Sequence, residues 1–139
     1  AIAPLIALLQ DGTPEGKTIT AGLLSNIAIN PDNQMTVARE GAIAPLIALL
    51  RDGTPEEKTQ AADTLGMIAI NTDNKVTLAN EGAIPLLIAL LRDGTLEGRV
   101  EAAAALWSIV INPDNQVTLA REGLCFEMAL HCFASRWHS

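Results

Sequence analysis

An all-α solenoid, an α-α superhelix of about three stacked three-helix units, is the fold class this sequence predicts, and three observations predict it. The segment AIAPLIALLQDGTPE at 1–15 returns as AIAPLIALLRDGTPE at 42–56 and as AIPLLIALLRDGTLE at 83–97, an offset of 41 residues each time. The same offset relates NPDN at 30–33, NTDN at 71–74 and NPDN at 112–115, and it relates Gly41, Gly82 and Gly123 with no insertion. Within each unit the apolar residues recur at helical spacing, with Gly, Pro and Asn where helices stop and start.

The unit at 42–82 shows how each helix is specified. PLIALLRD carries a proline suited to a first helical position and closely spaced leucines, and it stops at Gly53. Thr54 then has the features of an N-cap, with Pro55 following it and Glu57 three residues on as its capping-box partner. The long helix this starts runs through EEKTQAADTLGMIAI to about Ile70, with residues 61, 62, 65, 68 and 69 on one side. Asn71 closes it, and DNKVTLANE forms a shorter third helix ending at Gly82, with Val76, Leu78 and Ala79 turned inward.

The domain organisation predicted is a single domain over 1–139: a partial repeat at 1–41, repeats at 42–82 and 83–123, and a divergent C-terminal cap helix at 124–139. Residue 1 falls inside the first helix of a unit, so we expect a piece of a longer array with an exposed apolar edge. Self-association through such exposed repeat ends is a corollary. In the tail, REGLCFEMALHCFASRWHS leaves the repeat pattern after Gly123, and apolar residues at 125, 128, 129 and 132 can cover the last unit as one helix.

Composition narrows the function. A chain of 139 residues that is 49% hydrophobic supports a packed core and excludes disorder. No apolar run reaches the roughly 18 residues a membrane span needs, and no signal segment opens the chain, so an intracellular protein is expected, cytoplasmic or nuclear, with no membrane insertion. The net charge of −7 argues against nucleic acid, whose affinity comes largely from Lys and Arg. With no Tyr, two Phe and two Trp, the chain also lacks base-stacking platforms.

Cys125 and Cys132 are the only cysteines, too few for a disulfide framework. With His131 and His138 they invite a metal reading. On a helix, however, the cysteines lie about 10.5 Å apart, and the histidines point some ~120° away from them. No metal site, no cofactor and no enzyme are therefore predicted: no phosphate loop, nucleophile elbow or His-based metal motif occurs.

The repeated EGAIAPLIALL, the A-x-x-L-x-x-I-A core of the long helix and DNKVTLANEG resemble the armadillo repeat family from residue 1 to about 124. That resemblance implies a stack in which the long helices line a concave wall and the short ones build the convex side. The resemblance also implies that protein or peptide partners bind on that wall.

A helical wheel at about 100° per residue places Thr20, Leu23, Leu24, Ile27 and Ala28 on the core arc. Glu15, Ile19, Gly22 and Asn26 form an outward stripe. The equivalent stripes are Glu56, Gln60, Asp63 and Met67, then Glu97, Glu101, Ala104 and Ser108.

Importin-alpha-like members of the family hold extended peptides with an asparagine at the Asn26 position and a tryptophan one turn earlier. Here Met67 and Ser108 replace the asparagine, and Gly22, Asp63 and Ala104 stand at the tryptophan position. What persists is an acidic column, Glu15, Glu56 and Glu97, reinforced by Asp63 and Glu101 and suited to a basic segment. Acidic residues at helix N-termini also arise from the helix dipole alone. Lys17, Lys58 and Arg99 lie two residues further on and weaken the field, and Trp107 sits at the border of wall and core, packed toward the tail.

Overall fold

The computed structural model describes residues 2–110. Eight α-helices follow one another there: α1 (Ala3–Asp11), α2 (Pro14–Ile27), α3 (Pro31–Arg39), α4 (Ile43–Asp52), α5 (Pro55–Ile68), α6 (Thr72–Asn80), α7 (Ala83–Asp93) and α8 (Leu96–Val110). They form two complete three-helix units and the first two helices of a third. The cap at 124–139 and the Cys125, His131, Cys132 and His138 cluster lie outside the described residues.

The helix starts are shifted from the sequence expectation. α4 begins at Ile43 and α7 at Ala83, so Pro45 and Pro85 occupy third positions, and only Pro4 in α1 lies in the first two. All are still in the first turn, where a backbone N–H has no intrahelical partner to lose. Gly53 ends α4 in an extended conformation, its N–H returning to the Leu49 carbonyl. A Cβ at Gly53 would run into the Leu49 carbonyl oxygen and sit 2.9 Å from the Glu57 Cβ, so crowding against the last turn of α4 and the next helix, and not positive φ, selects the glycine.

The predicted capping box forms. The Thr54 hydroxyl accepts from Glu57 N at 3.2 Å, and Glu57 Oε1 accepts from Thr54 N at 2.9 Å. Asn71, expected to end the long helix, instead caps the next one: its Oδ1 accepts from Asp73 N at 3.0 Å, as Asn30 Oδ1 does from Asp32 N.

α2 packs on α5 and α5 on α8, while α1, α4 and α7 line up on the other side and α3 meets α6. Leu24, Leu65 and Leu106, one period apart, are all buried. Ala21, Ala62 and Ala103 are buried beside them, and their small side chains let the long helices approach.

Three side-chain bonds cross between the first two units. Ser25 Oγ donates to Asp63 Oδ2 at 2.9 Å, Thr64 Oγ1 to the Ala21 carbonyl at 2.7 Å, and Asn74 Nδ2 to the Gln34 carbonyl at 3.2 Å.

Two burial expectations are overturned. Val76 is 39% exposed, and Asn74 and Lys75 are buried on α6 in its place. The reason is the open end of the long helix. Asn74 Nδ2 donates to the Ile68 carbonyl at 3.1 Å, and the Lys75 ammonium donates to the carbonyls of Ala69 and Ile70. Satisfying those carbonyls turns the polar side of α6 inward. The first unit does the same with Asn33 to Ile27 at 3.1 Å and Gln34 to Ala28 at 3.0 Å.

Leu23, assigned to the core arc, is 43% exposed, while Ala21 and Ser25 are buried. Its equivalents Thr64 and Ala105 are covered by the preceding long helix, and no described helix covers that side of α2.

Candidate functional site

The wall to be judged is the outer face of α2, α5 and α8. Each of these helices starts at a Thr, Thr13, Thr54 or Thr95, whose hydroxyl accepts from a backbone N–H three residues on. That shared cap puts Glu15, Glu56 and Glu97 in the same place on three adjacent helices, at the second helical position, and all three are exposed. Carboxylates there are favoured by the helix dipole and are not drawn into ion pairs. The salt bridge of Arg51 to Asp52, at 4.0 Å, lies away from the wall.

The rest of the stripe divides between surface and neighbour. Ile19 is 72% exposed and Asn26 is exposed, so in the first unit the apolar and amide groups face outward. Gly22, Gln60, Asp63, Met67, Glu101, Ala104 and Ser108 are half-buried. Two of these are engaged sideways. Asp63 accepts the Ser25 hydroxyl, and Gln60 lies beside Gly22, whose Cβ would be 3.3 Å from Gln60 Oε1. Gly22 therefore accommodates the next repeat's side chain, and Asp63 serves the repeat interface as well as the surface.

The sequence offered a signal for this. Facing residues on neighbouring long helices are 38 to 43 positions apart, so a polar pair such as Ser25 and Asp63 at a separation of 38 is a candidate bridge.

The basic residues behave differently from one another. Lys17 and Lys58 line two similar clefts, one repeat apart, on the flank where α2 meets α4 and α5 meets α7. Arg99 turns back, its Nε donating to the Leu91 carbonyl at 3.1 Å near the end of α7. Trp107 is partly exposed, and the tail expected to cover it lies outside the described residues.

A cavity of about 490 Å³ between the N-terminal ends of α5 and α8 is lined by Glu56, Thr59, Gln60, Thr95 and Glu97. It offers carboxylates, hydroxyls and an amide, which are groups that orient a cation or a peptide unit. Among the described residues no three of His, Cys, Asp and Glu converge to hold a metal ion. No described helix is long and apolar enough to cross a membrane.

Residues 71–111 match the model of the Armadillo/beta-catenin-like repeat. No curated protein matches the sequence. Among solved structures, computationally designed armadillo repeat proteins for modular peptide recognition superimpose with a TM-score of 0.81 at 30% identity, over 88% of this chain and 53% of that one. A designed armadillo repeat protein in complex with the peptide (KR)4 gives a TM-score of 0.83 at 30% identity, with the same coverage of 88% and 53%. The chain thus spans about half the length of these structures. With eight helices in register and no strand among the described residues, the chain has the armadillo-type solenoid fold of these structures, and residues 71–111 carry one armadillo repeat by sequence.

Proposed function

We propose that the chain is a non-enzymatic scaffold that binds protein partners through an extended, basic peptide segment laid across α2, α5 and α8. The observation carrying this reading is the column of exposed carboxylates, Glu15, Glu56 and Glu97, repeated in register along the wall. Repeated single-sign charge raises the local concentration of an oppositely charged ligand and sets its orientation. The similarity to a designed protein that holds (KR)4 supports the same chemistry. Asn26 can pair one peptide unit through its donor and acceptor. Met67 and Ser108 cannot continue an asparagine ladder, so side-chain contacts have to supply more of the affinity.

The test is anisotropy titration of labelled lysine- and arginine-rich peptides against neutral ones at low and moderate salt. Tighter binding of the basic set, weakened by salt and lost in the double variant Glu56→Lys, Glu97→Lys, supports the reading. Both residues are exposed and outside the core, so binding indifferent to their reversal removes the groove.

A second reading, self-association, is favoured by Leu8, Ile19 and Leu23, which are 49%, 72% and 43% exposed on one edge of the first unit. A sedimentation coefficient that rises with concentration and stops rising in Leu8→Lys, Leu23→Lys would establish it, and one that stays constant rules it out.

A further inference from the structure

Adjacent pairs of long helices would present the same surface if the repeats were identical, and they do not. Between α2 and α5 the Ser25 to Asp63 hydrogen bond and the Gln60 side chain over Gly22 close the wall. One period later, Ser25 is replaced by Gly66 and Asp63 by Ala104. Loss of a hydroxymethyl and a carboxylate opens a cavity of about 150 Å³ between α5 and α8.

The two helices are also close at Gly66, since a Cβ there would lie 3.1 Å from Ala105 Cα. The floor is thus backbone and small side chains. Met67 and Ile70 form its apolar side, and Ile70 stands 54% exposed at the rim.

We propose that this cavity is a specificity subsite of the groove, taking one aliphatic side chain of leucine or methionine size from an extended peptide whose next wall-facing residues on either side are Lys or Arg. The proposal rests on the peptide-groove reading above. Ala62, Met67, Ile70, Ala104 and Ala105 supply most of the lining, and such apolar surface favours an aliphatic group over a cation against it. The charge at and around it is acidic: the carboxylates of Asp63 and Glu101 belong to the lining, with Glu56 and Glu97 further along the same two helices. Complementarity therefore places cations on these carboxylates, beside the apolar residue. In an extended chain every second side chain faces the same way, which gives the pattern basic, any, aliphatic, any, basic. The volume matches one compact apolar group, since a cavity of ~150 Å³ holds a benzene-sized molecule.

The experiment compares peptides of that pattern carrying Leu, Ala, Lys or Trp at the central position, by anisotropy with the intact chain. Leu should bind about tenfold tighter than Ala, the effect of burying most of one aliphatic side chain. Ala104→Leu, which fills the cavity from α8, should abolish that preference, so that the Leu and Ala peptides bind alike. Met67→Ala, which enlarges the cavity without adding atoms to the interface, should shift the preference toward Trp. Equal binding of the Leu and Ala peptides would overturn the subsite while leaving the groove intact. A leucine preference that survives Ala104→Leu would also overturn it, by placing the contact elsewhere. Failure of every peptide to bind would overturn the groove itself.

Discussion

Lys75 and Gln34 hold equivalent positions one period apart and do the same work with different chemistry. The Gln34 amide caps the end of α2 as a neutral donor, and the Lys75 ammonium caps the end of α5 as a buried cation. Burial pushes the Lys75 pKa below its ordinary 10.5. Between that lowered value and 10.5 the unfolded chain binds more protons than the folded one, so stability rises with pH there; below it both states are charged and the cost is constant. Lys75→Gln, which restores the first unit's residue, should therefore show its largest advantage over the native chain near neutrality. That advantage should shrink toward pH 10, as read by urea unfolding at the two pH values. Lys75→Ala should instead cost about 1–3 kcal/mol, because the Ala69 carbonyl loses its donor. The sequence showed that Asn74 and Lys75 follow a helix end, but not that they face inward. Only the direction in which the Ala69 and Ile70 carbonyls point decides that, so Val76 was misplaced to the core.

At the scale of elements, local chemistry was largely legible because each helix carries its own start and stop. Thr54, Pro55 and Glu57 fix the start of α5 by contacts within four residues, and those contacts form whatever the rest of the chain does. Thr54→Ala should cost about 1 kcal/mol in denaturant unfolding, and more than Thr13→Ala. In the first unit Gly16 stands where Glu57 stands in the second and cannot close the reciprocal bond. Gly82 precedes α7 with φ 87°, a left-handed conformation that costs other residues about 1–2 kcal/mol. Gly82→Ala should lose about that much stability. Less legible was which face of the long helix is covered. The wheel marked Glu15, Glu56 and Glu97, which are exposed, yet it could not show that Asp63 is held by Ser25 or that Gln60 lies over Gly22. Such pairings depend on how far one helix is displaced along its neighbour, a quantity no single helix encodes.

On the scale of the whole molecule, each repeat is stabilised mainly by its neighbours, so identical residues differ in what they contribute. Leu46 is fully buried between units, whereas Leu5, the same residue one period earlier, is only partly covered. Leu46→Ala should cost about 2–5 kcal/mol and Leu5→Ala distinctly less, in thermal or denaturant unfolding of the two single variants. Equal losses would contradict a nearest-neighbour stack. The 41-residue period, the helix caps and the acidic stripe were determined by the sequence alone, because repetition and capping are properties of spacing along one chain. The tertiary structure decided what lies between units: the exposure of Leu23, the bridge from Ser25 to Asp63 and the cavity opened by Gly66 and Ala104. Those follow from the approach and offset of two packed helices, where the loss of a few atoms on facing surfaces turns a closed wall into a pocket.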